Sequence, residues 1–305
     1  MVRQKTLGSA IECTGVGLHG GNKVSMVLHP AEPGSGVVFQ RADLGGAKLA
    51  ASYKNVCATE MCTSLGDGNG FQVATVEHLM SAFAGLGIDN VVVELDGPEV
   101  PIMDGSAAPF VFLIECAGIV EQPVPRQAIQ VLKTVEVSNG DRSASLSPSD
   151  GFSVSFEIAC DHPAIGHQKC HFELVDGVFK RDVCRARTYG FLRDVAELRG
   201  RGFILGGSLQ NAIVLSDDRV VNTDGLRFQD EFVRHKALDC IGDLYLAGGP
   251  LLAHMHGVSS GHAMNHKLLE ALFADPEAWR RVSLDDNAPA APDHKPAAAA
   301  AAAAA

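Results

Sequence analysis

Near the start of the chain, apolar and polar positions alternate in two short runs, Val24-Met26-Leu28 and Val37-Val38-Phe39, set between turn signals at Gly20-Gly21 and at Pro30 to Gly34. A period of two bounded by such turns predicts short antiparallel strands. At Val73, Val76, Leu79, Met80 and Phe83 the spacing changes to three and four, which predicts a largely buried helix. Before it, residues 55–71 show no period. After it come a strand over 88–95 and a helix over 107–117, begun near Ser106 with Pro109 in its first turn. The run Gln122-Pro123-Val124-Pro125-Arg126 carries two prolines and loses periodicity, which marks a linker. Beyond it the order of elements recurs. Strands are expected over 128–137, 143–147, 152–158, 172–174 and 251–256. A helix is expected to begin within 188–198, another spans 230–244, and a last one runs through 264–273 to end near Trp279-Arg280-Arg281. The pattern yields an α+β protein of two domains, residues 1–124 and 125–282. Residues 283–305 are rich in Pro and Ala, close on nine alanines, and are expected to be a disordered tail.

Composition narrows the class. A length of 305 residues with 46% hydrophobic content suits two domains with their own cores. A net charge of −11 argues against nucleic acid as a partner, although a few basic residues can still make a local anion pocket. The eight cysteines form no C-x-x-C pair and no regular framework, so mostly buried, reduced thiols in a cytoplasmic protein are expected. No apolar segment follows the charged residues of the N-terminus, and no run approaches the ~20 residues of a membrane span, so neither a signal peptide nor an integral membrane segment is expected.

Three stretches carry candidate chemistry. Glu77 and His78 stand side by side on the predicted buried helix, a candidate general base next to a candidate metal ligand. A satisfied core histidine would look the same. On the helix over 230–244, His235, Asp239 and Asp243 are spaced by four and share one face, opposite Phe232, Val233, Leu238 and Ile241. Taken with His78, His235 and Asp239 make a donor set of two nitrogens and one oxygen, the composition of a catalytic zinc site with one position left for water. Iron(II) would tolerate the same ligands. The alternative is a salt-bridged solvent face. His262, after Ser260-Gly261 and just ahead of an apolar-periodic segment, sits at a helix start where it could protonate a leaving amine or act as a mere cap. The glycines of 15–21 do not match a dinucleotide loop, since strands rather than a βαβ unit surround them. His19 among them is either a site residue or a turn residue.

Six ordered blocks then point to a family: Thr75-Val76-Glu77-His78-Leu79, the run from Pro101 to Phe110, Cys184-Arg185-Ala186-Arg187-Thr188-Tyr189-Gly190-Phe191, Asp224-Gly225-Leu226-Arg227-Phe228, His235-Lys236 with Leu238-Asp239, and Ser260-Gly261-His262. Together they resemble the UDP-3-O-acyl-N-acetylglucosamine deacetylases, the zinc amidases of lipid A biosynthesis in Gram-negative bacteria, over residues 2 to 280. The resemblance implies two α/β-sandwich domains packed face to face with the active site at their interface, a monomer, and the substrate UDP-3-O-acyl-N-acetylglucosamine. It implies Zn2+ on His78, His235 and Asp239, with Glu77 as base, His262 as acid, Asp243 orienting that histidine and Thr188 donating to the oxyanion. Lys236 would face the diphosphate, and His19, Met61, Tyr189 and Phe191 would lie near the substrate. Val195, Leu198, Ile204, Ser208, Ala212 and Val214 would line an acyl passage formed by an insert around the glycine-rich 202–209. One departure stands out: Ser259 occupies a position where the family usually has lysine. Two rival readings are a non-catalytic, metal-stabilised sugar-nucleotide binder and a metallopeptidase; the latter lacks H-E-x-x-H.

Overall fold

The computed structural model describes residues 2–175 and 177–284, so the tail expected over 283–305 lies almost wholly outside the described residues. Among the described residues there are five α-helices, α1 (Glu77–Leu86), α2 (Ala108–Ala117), α3 (Val195–Gly200), α4 (Glu231–Tyr245) and α5 (His262–Ala274). They accompany two larger sheets. The first has five strands in the order Ile11–Val16, Lys23–Pro30, Val91–Leu95, Val37–Arg41, Ala47–Ala50, antiparallel except where Val37–Arg41 runs beside Val91–Leu95. The second has seven strands. Leu251–Val258 lies at its centre, antiparallel to Arg142–Pro148 and parallel to both Gln127–Val131 and Phe152–Cys160. Along that central strand Leu251, Ala253 and Met255 are buried while Leu252, His254 and His256 are not, so one sheet face covers the core and the other meets water. The result is a mixed α+β fold with mainly antiparallel sheets.

The two helices that carry the candidate residues are buried on every side rather than on a single stripe. Glu77 to Phe83 of α1 are all buried, and in α4 only Arg234 and Lys236 reach partial exposure. No solvent face therefore exists for His235, Asp239 and Asp243 to occupy. The axes approach closely because Gly242 of α4 has no side chain: a Cβ there would overlap the Glu77 backbone carbonyl of α1. α1 starts without a capping side chain; instead the Val76 amide donates to the Thr63 carbonyl. Its final turn closes on Gly87 at φ 70°, the left-handed stop that glycine adopts without cost.

Several expected boundaries move. The last helix ends at Ala274, and Trp279–Ser283 is a strand antiparallel to Gln127–Val131. Indole and valine placed within this run by long-range pairing satisfy a strand as well as a helix, which periodicity alone does not separate. The single strand expected over 128–137 is two: Gln127–Val131 lies inside the sheet between Leu251–Val258 and Trp279–Ser283, and Val135–Asn139 forms an edge beside Arg142–Pro148. Where a linker was expected, Ile119–Pro125 pairs with Arg3–Leu7; its prolines are tolerated because this ribbon has only two strands, both of them edges. The irregular stretch at 55–71 holds part of a small sheet of Val56–Ala58, Ser64–Gly66 and Gln72–Val73. The strand at 172–174 is the end of Gly166–Glu173. The helix expected within 188–198 is a strand, Tyr189–Phe191, then one turn of tighter helix and only then α3. Of the eight cysteines only Cys62, Cys184 and Cys240 are buried, while Cys57 and Cys116 are exposed; all are free thiols.

Since the α1–α4 contact leaves no room at Gly242, Gly242→Ala is expected to lose about 1–3 kcal/mol of stability through overpacking. Denaturant unfolding of the variant against wild type measures this, and an unchanged midpoint would contradict the close approach.

Candidate metal centre and active site

α1 brings His78 and α4 brings His235 and Asp239 to one place. The Nε2 atoms of His78 and His235 face Asp239 Oδ1 at 3.4 and 3.2 Å, and the rings meet edge to face with centroids 4.9 Å apart. All three residues are buried, and their donor atoms lie within 4.8 Å of one another. His235 Nδ1 is 3.0 Å from the Ala186 carbonyl, which can only accept, so the proton sits on Nδ1 and the lone pair on Nε2. Burial lowers the His235 pKa to about 3 and keeps the ring neutral. Asp239 Oδ1 is buried without a hydrogen-bond partner. Burial opposes the Asp239 charge, but the Lys236 ammonium, 2.9 Å from Oδ2, outweighs that and holds its carboxyl well below the usual range. Lone pairs facing one another in a dry place are costly unless a cation joins them. Ligands on a tetrahedral ion with bonds of ~2.0–2.1 Å stand roughly 3.3 Å apart, so the two measured separations suit a metal of that kind.

Beside this donor set lies an acid–base pair. Glu77, the first residue of α1, accepts the Thr63 amide on Oε2 at 3.0 Å and presents Oε1 to His262 Nε2 at 3.9 Å. Burial raises the Glu77 pKa, with His262 and His78 offsetting part of the rise. His262, the first residue of α5, donates Nδ1–H to Asp243 Oδ2 at 2.9 Å. Burial works against the imidazolium there, yet the carboxylates of Asp243 and Glu77 outweigh it and raise the pKa to about 9. Asp243 is itself saturated: Asn265 Nδ2 donates to Oδ2 at 2.9 Å and Thr63 Oγ1 to Oδ1 at 2.6 Å. Two buried groups whose environments separate their proton affinities in this way can work as base and acid in one reaction.

The donor set opens on a cavity of about 510 Å³. Glu77, His78, His235, Asp239, His262, Thr188 and Lys236 are part of its lining. The remaining sequence candidates, His19, Met61, Tyr189, Phe191, Val195, Leu198, Ile204, Ser208, Ala212 and Val214, line the same cavity. Asp243 does not; it sits behind His262. Lys236 is not free to serve an anion alone, since its ammonium bonds Asp239 and lies 5.7 Å over the Tyr189 ring. His19 is buried, accepts the Ile204 amide on Nδ1 and packs edge-on against Phe203. Of the wall residues that sequence reasoning passed over, Leu18, Thr75, Leu192, Leu209 and Val221 are the informative ones. Thr75 and Ile204 hold the left-handed backbone at φ 59° and 50°, strained for β-branched residues. Thr75 is tied down by Glu99, whose carboxylate also takes the amides of His19 and Gly20.

The class that this fold and donor set define is a metal-assisted hydrolase with an apolar cavity at its cation site. The chain belongs to the UDP-3-O-acyl N-acetylglycosamine deacetylase family (LpxC), whose model matches residues 4–274. Relatives bearing the name UDP-3-O-acyl-N-acetylglucosamine deacetylase include that of Stenotrophomonas maltophilia, 52% identical over 296 residues that cover 96% of this chain and 97% of the relative. That of Acidithiobacillus ferrooxidans is 53% identical over 285 residues, 92% and 93% of the two chains. That of Haemophilus influenzae is 48% identical over 289 residues, 94% and 95%.

In metal-free protein the His262 ring is expected to titrate near pH 9, read by NMR. The free histidine value is ~6.5. With the folded value above the unfolded one, the stabilisation is complete below ~6.5 and is lost as pH rises through about 9. Asp243→Asn should bring the titration down; a wild-type value at or below ~6.5 would contradict the assignment.

Proposed function

We propose that this protein removes the N-acetyl group of UDP-3-O-acyl-N-acetylglucosamine, releasing acetate and UDP-3-O-acylglucosamine for lipid A biosynthesis. The observation that carries the reading is the 3.9 Å approach of a buried glutamate and a histidine that line one cavity with a His2Asp donor set. His78, His235 and Asp239 would hold Zn2+, with Fe2+ an alternative that the same donors accept. A cation bound there supplies Lewis acidity, which acidifies water and polarises the amide carbonyl.

The chain's own groups do the rest. Glu77, held by the Thr63 amide, takes the proton from the attacking water. The Thr188 hydroxyl donates to the oxygen on which charge develops. Its place is secured by backbone bonds, the Thr188 amide to the Gly105 carbonyl at 2.8 Å and the Ile213 amide to the Thr188 carbonyl at 2.8 Å. His262, kept as imidazolium by Asp243, gives its proton to the departing amine, so the sugar nitrogen leaves neutral as the C–N bond breaks. Lys236 steadies Asp239 and still has donors to offer a diphosphate at the cavity mouth, which matters more where Ser259 replaces the family lysine. Val195, Leu198, Ile204, Ala212 and Val214 line the wall suited to the acyl chain, with Ser208, Tyr189, Phe191, Met61 and His19 around it.

The proposal includes the division into halves 1–124 and 125–282, supported by one larger sheet in each and by α1 and α4 meeting between them. It takes the protein to be a monomer working in the cytoplasm. No helix among the described residues is long and apolar enough to cross a membrane.

Acetate release from the acylated UDP-sugar should be abolished by a chelator and restored by Zn2+. Glu77→Ala should keep its metal and lose about 10²–10⁴ in kcat, as for a single acid–base group. Turnover unaffected by both treatments would refute the proposal.

A further inference from the structure

Three of the six sequence blocks, those around Asp104, Arg187 and Arg227, supply Thr188, Tyr189 and Phe191 to the lining of the cavity, yet their charged residues stay out of that lining and converge in space. Their meeting point is Glu231, the first residue of α4 and one turn ahead of His235. Its fully buried carboxylate accepts four donors: Arg187 Nε at 2.8 Å, Arg187 Nη2 at 3.2 Å, the Arg187 amide at 3.1 Å and the Arg227 amide. Arg187 is also buried, and its Nη2 donates to the Gly225 carbonyl at 2.8 Å. Arg227 continues the network outward to Asp104 at 2.9 Å and to the Arg185 carbonyl at 3.0 Å.

The residues on either side of Arg187 show what this network holds. The Ala186 carbonyl fixes His235 Nδ1, and Thr188 lines the same cavity as the donor set. Resting on the reading of His78, His235 and Asp239 as a metal centre, we infer that the Arg187–Glu231 pair is a positioning clamp: it ties the 186–188 backbone to the start of α4, and so sets both the ring of His235 and the hydroxyl of Thr188. A bidentate guanidinium–carboxylate pair fixes direction as well as distance, which a lysine in the same place cannot do. Partners behind a metal-bound histidine commonly govern metal affinity by 10–100-fold.

The test compares Glu231→Gln and Arg187→Lys with Asp89→Asn, which weakens another enclosed ion pair, Asp89 to Arg126 at 2.8 Å, beyond the C-terminal end of α1. Each protein is loaded with Zn2+, exposed to a chelating dye well below its own melting temperature, and assayed in parallel for kcat and KM. Asp89→Asn is expected to melt earlier and to hold metal as wild type does. Glu231→Gln and Arg187→Lys should release metal about 10–100-fold faster and lose kcat with KM unchanged. Arg187→Lys keeps the buried charges matched, so it reports on geometry even where Glu231→Gln folds poorly. Metal release and kcat in Arg187→Lys indistinguishable from Asp89→Asn would overturn the clamp alone. A wild-type chain that never retains metal would overturn the metal centre and the clamp with it.

Discussion

The constraint on which the rest of this structure depends is the contact between two buried helices that both carry polar side chains. α1 and α4 lie against each other at Gly242, and that contact leaves Asp239 Oδ1 facing two imidazole nitrogens with no hydrogen of its own. Desolvating a carboxylate and two rings costs several kcal/mol if nothing compensates. Lys236 neutralises the far oxygen, and a divalent cation would satisfy the near one. The helices must be buried for the donors to be dry, and they must carry donors for the burial to serve any chemistry.

Around that contact the polar groups are arranged in a chain with few loose ends. Thr63 spans it, its amide on Glu77 and its hydroxyl on Asp243, so that the proposed base and the support of the proposed acid share one residue. Asn265 completes Asp243, and Asp243 completes His262. In a low-dielectric site such a network does more than align: it moves the proton affinity of Glu77 upward by burial and that of His262 upward by charge. Strain is concentrated in the same region, with Thr75 immediately ahead of α1 and Ile204 in the cavity wall. Glu99 joins these two segments by binding Thr75 together with the backbone of His19 and Gly20, and the His19 ring in turn takes the Ile204 amide.

Much of the site was legible in the sequence because its signal is local. Residues four apart on a helix share a face, so His235, Asp239 and Asp243 could be grouped before any fold was known, and Glu77-His78 sat on an apolar period that the structure buries. The meeting of the two stretches was not legible from spacing and rested on family resemblance, as did the cavity wall. Thr63, Glu99 and Glu231 were missed for a physical reason. Each acts largely on or through backbone amides, and any sequence position has an amide to offer. Strand pairing was lost similarly: Ile119–Pro125 pairs with the N-terminus and Trp279–Ser283 with Gln127–Val131, partners too distant for periodicity to report.

X-ray absorption at the metal edge of the purified protein tests the central claim most directly. The account predicts one first-row divalent ion bound by two imidazole nitrogens and by oxygen at ~2.0–2.2 Å, with no sulfur in its coordination sphere. A spectrum dominated by thiolate ligands at ~2.3 Å, or one unchanged when His78 and His235 are both replaced by alanine, would contradict it.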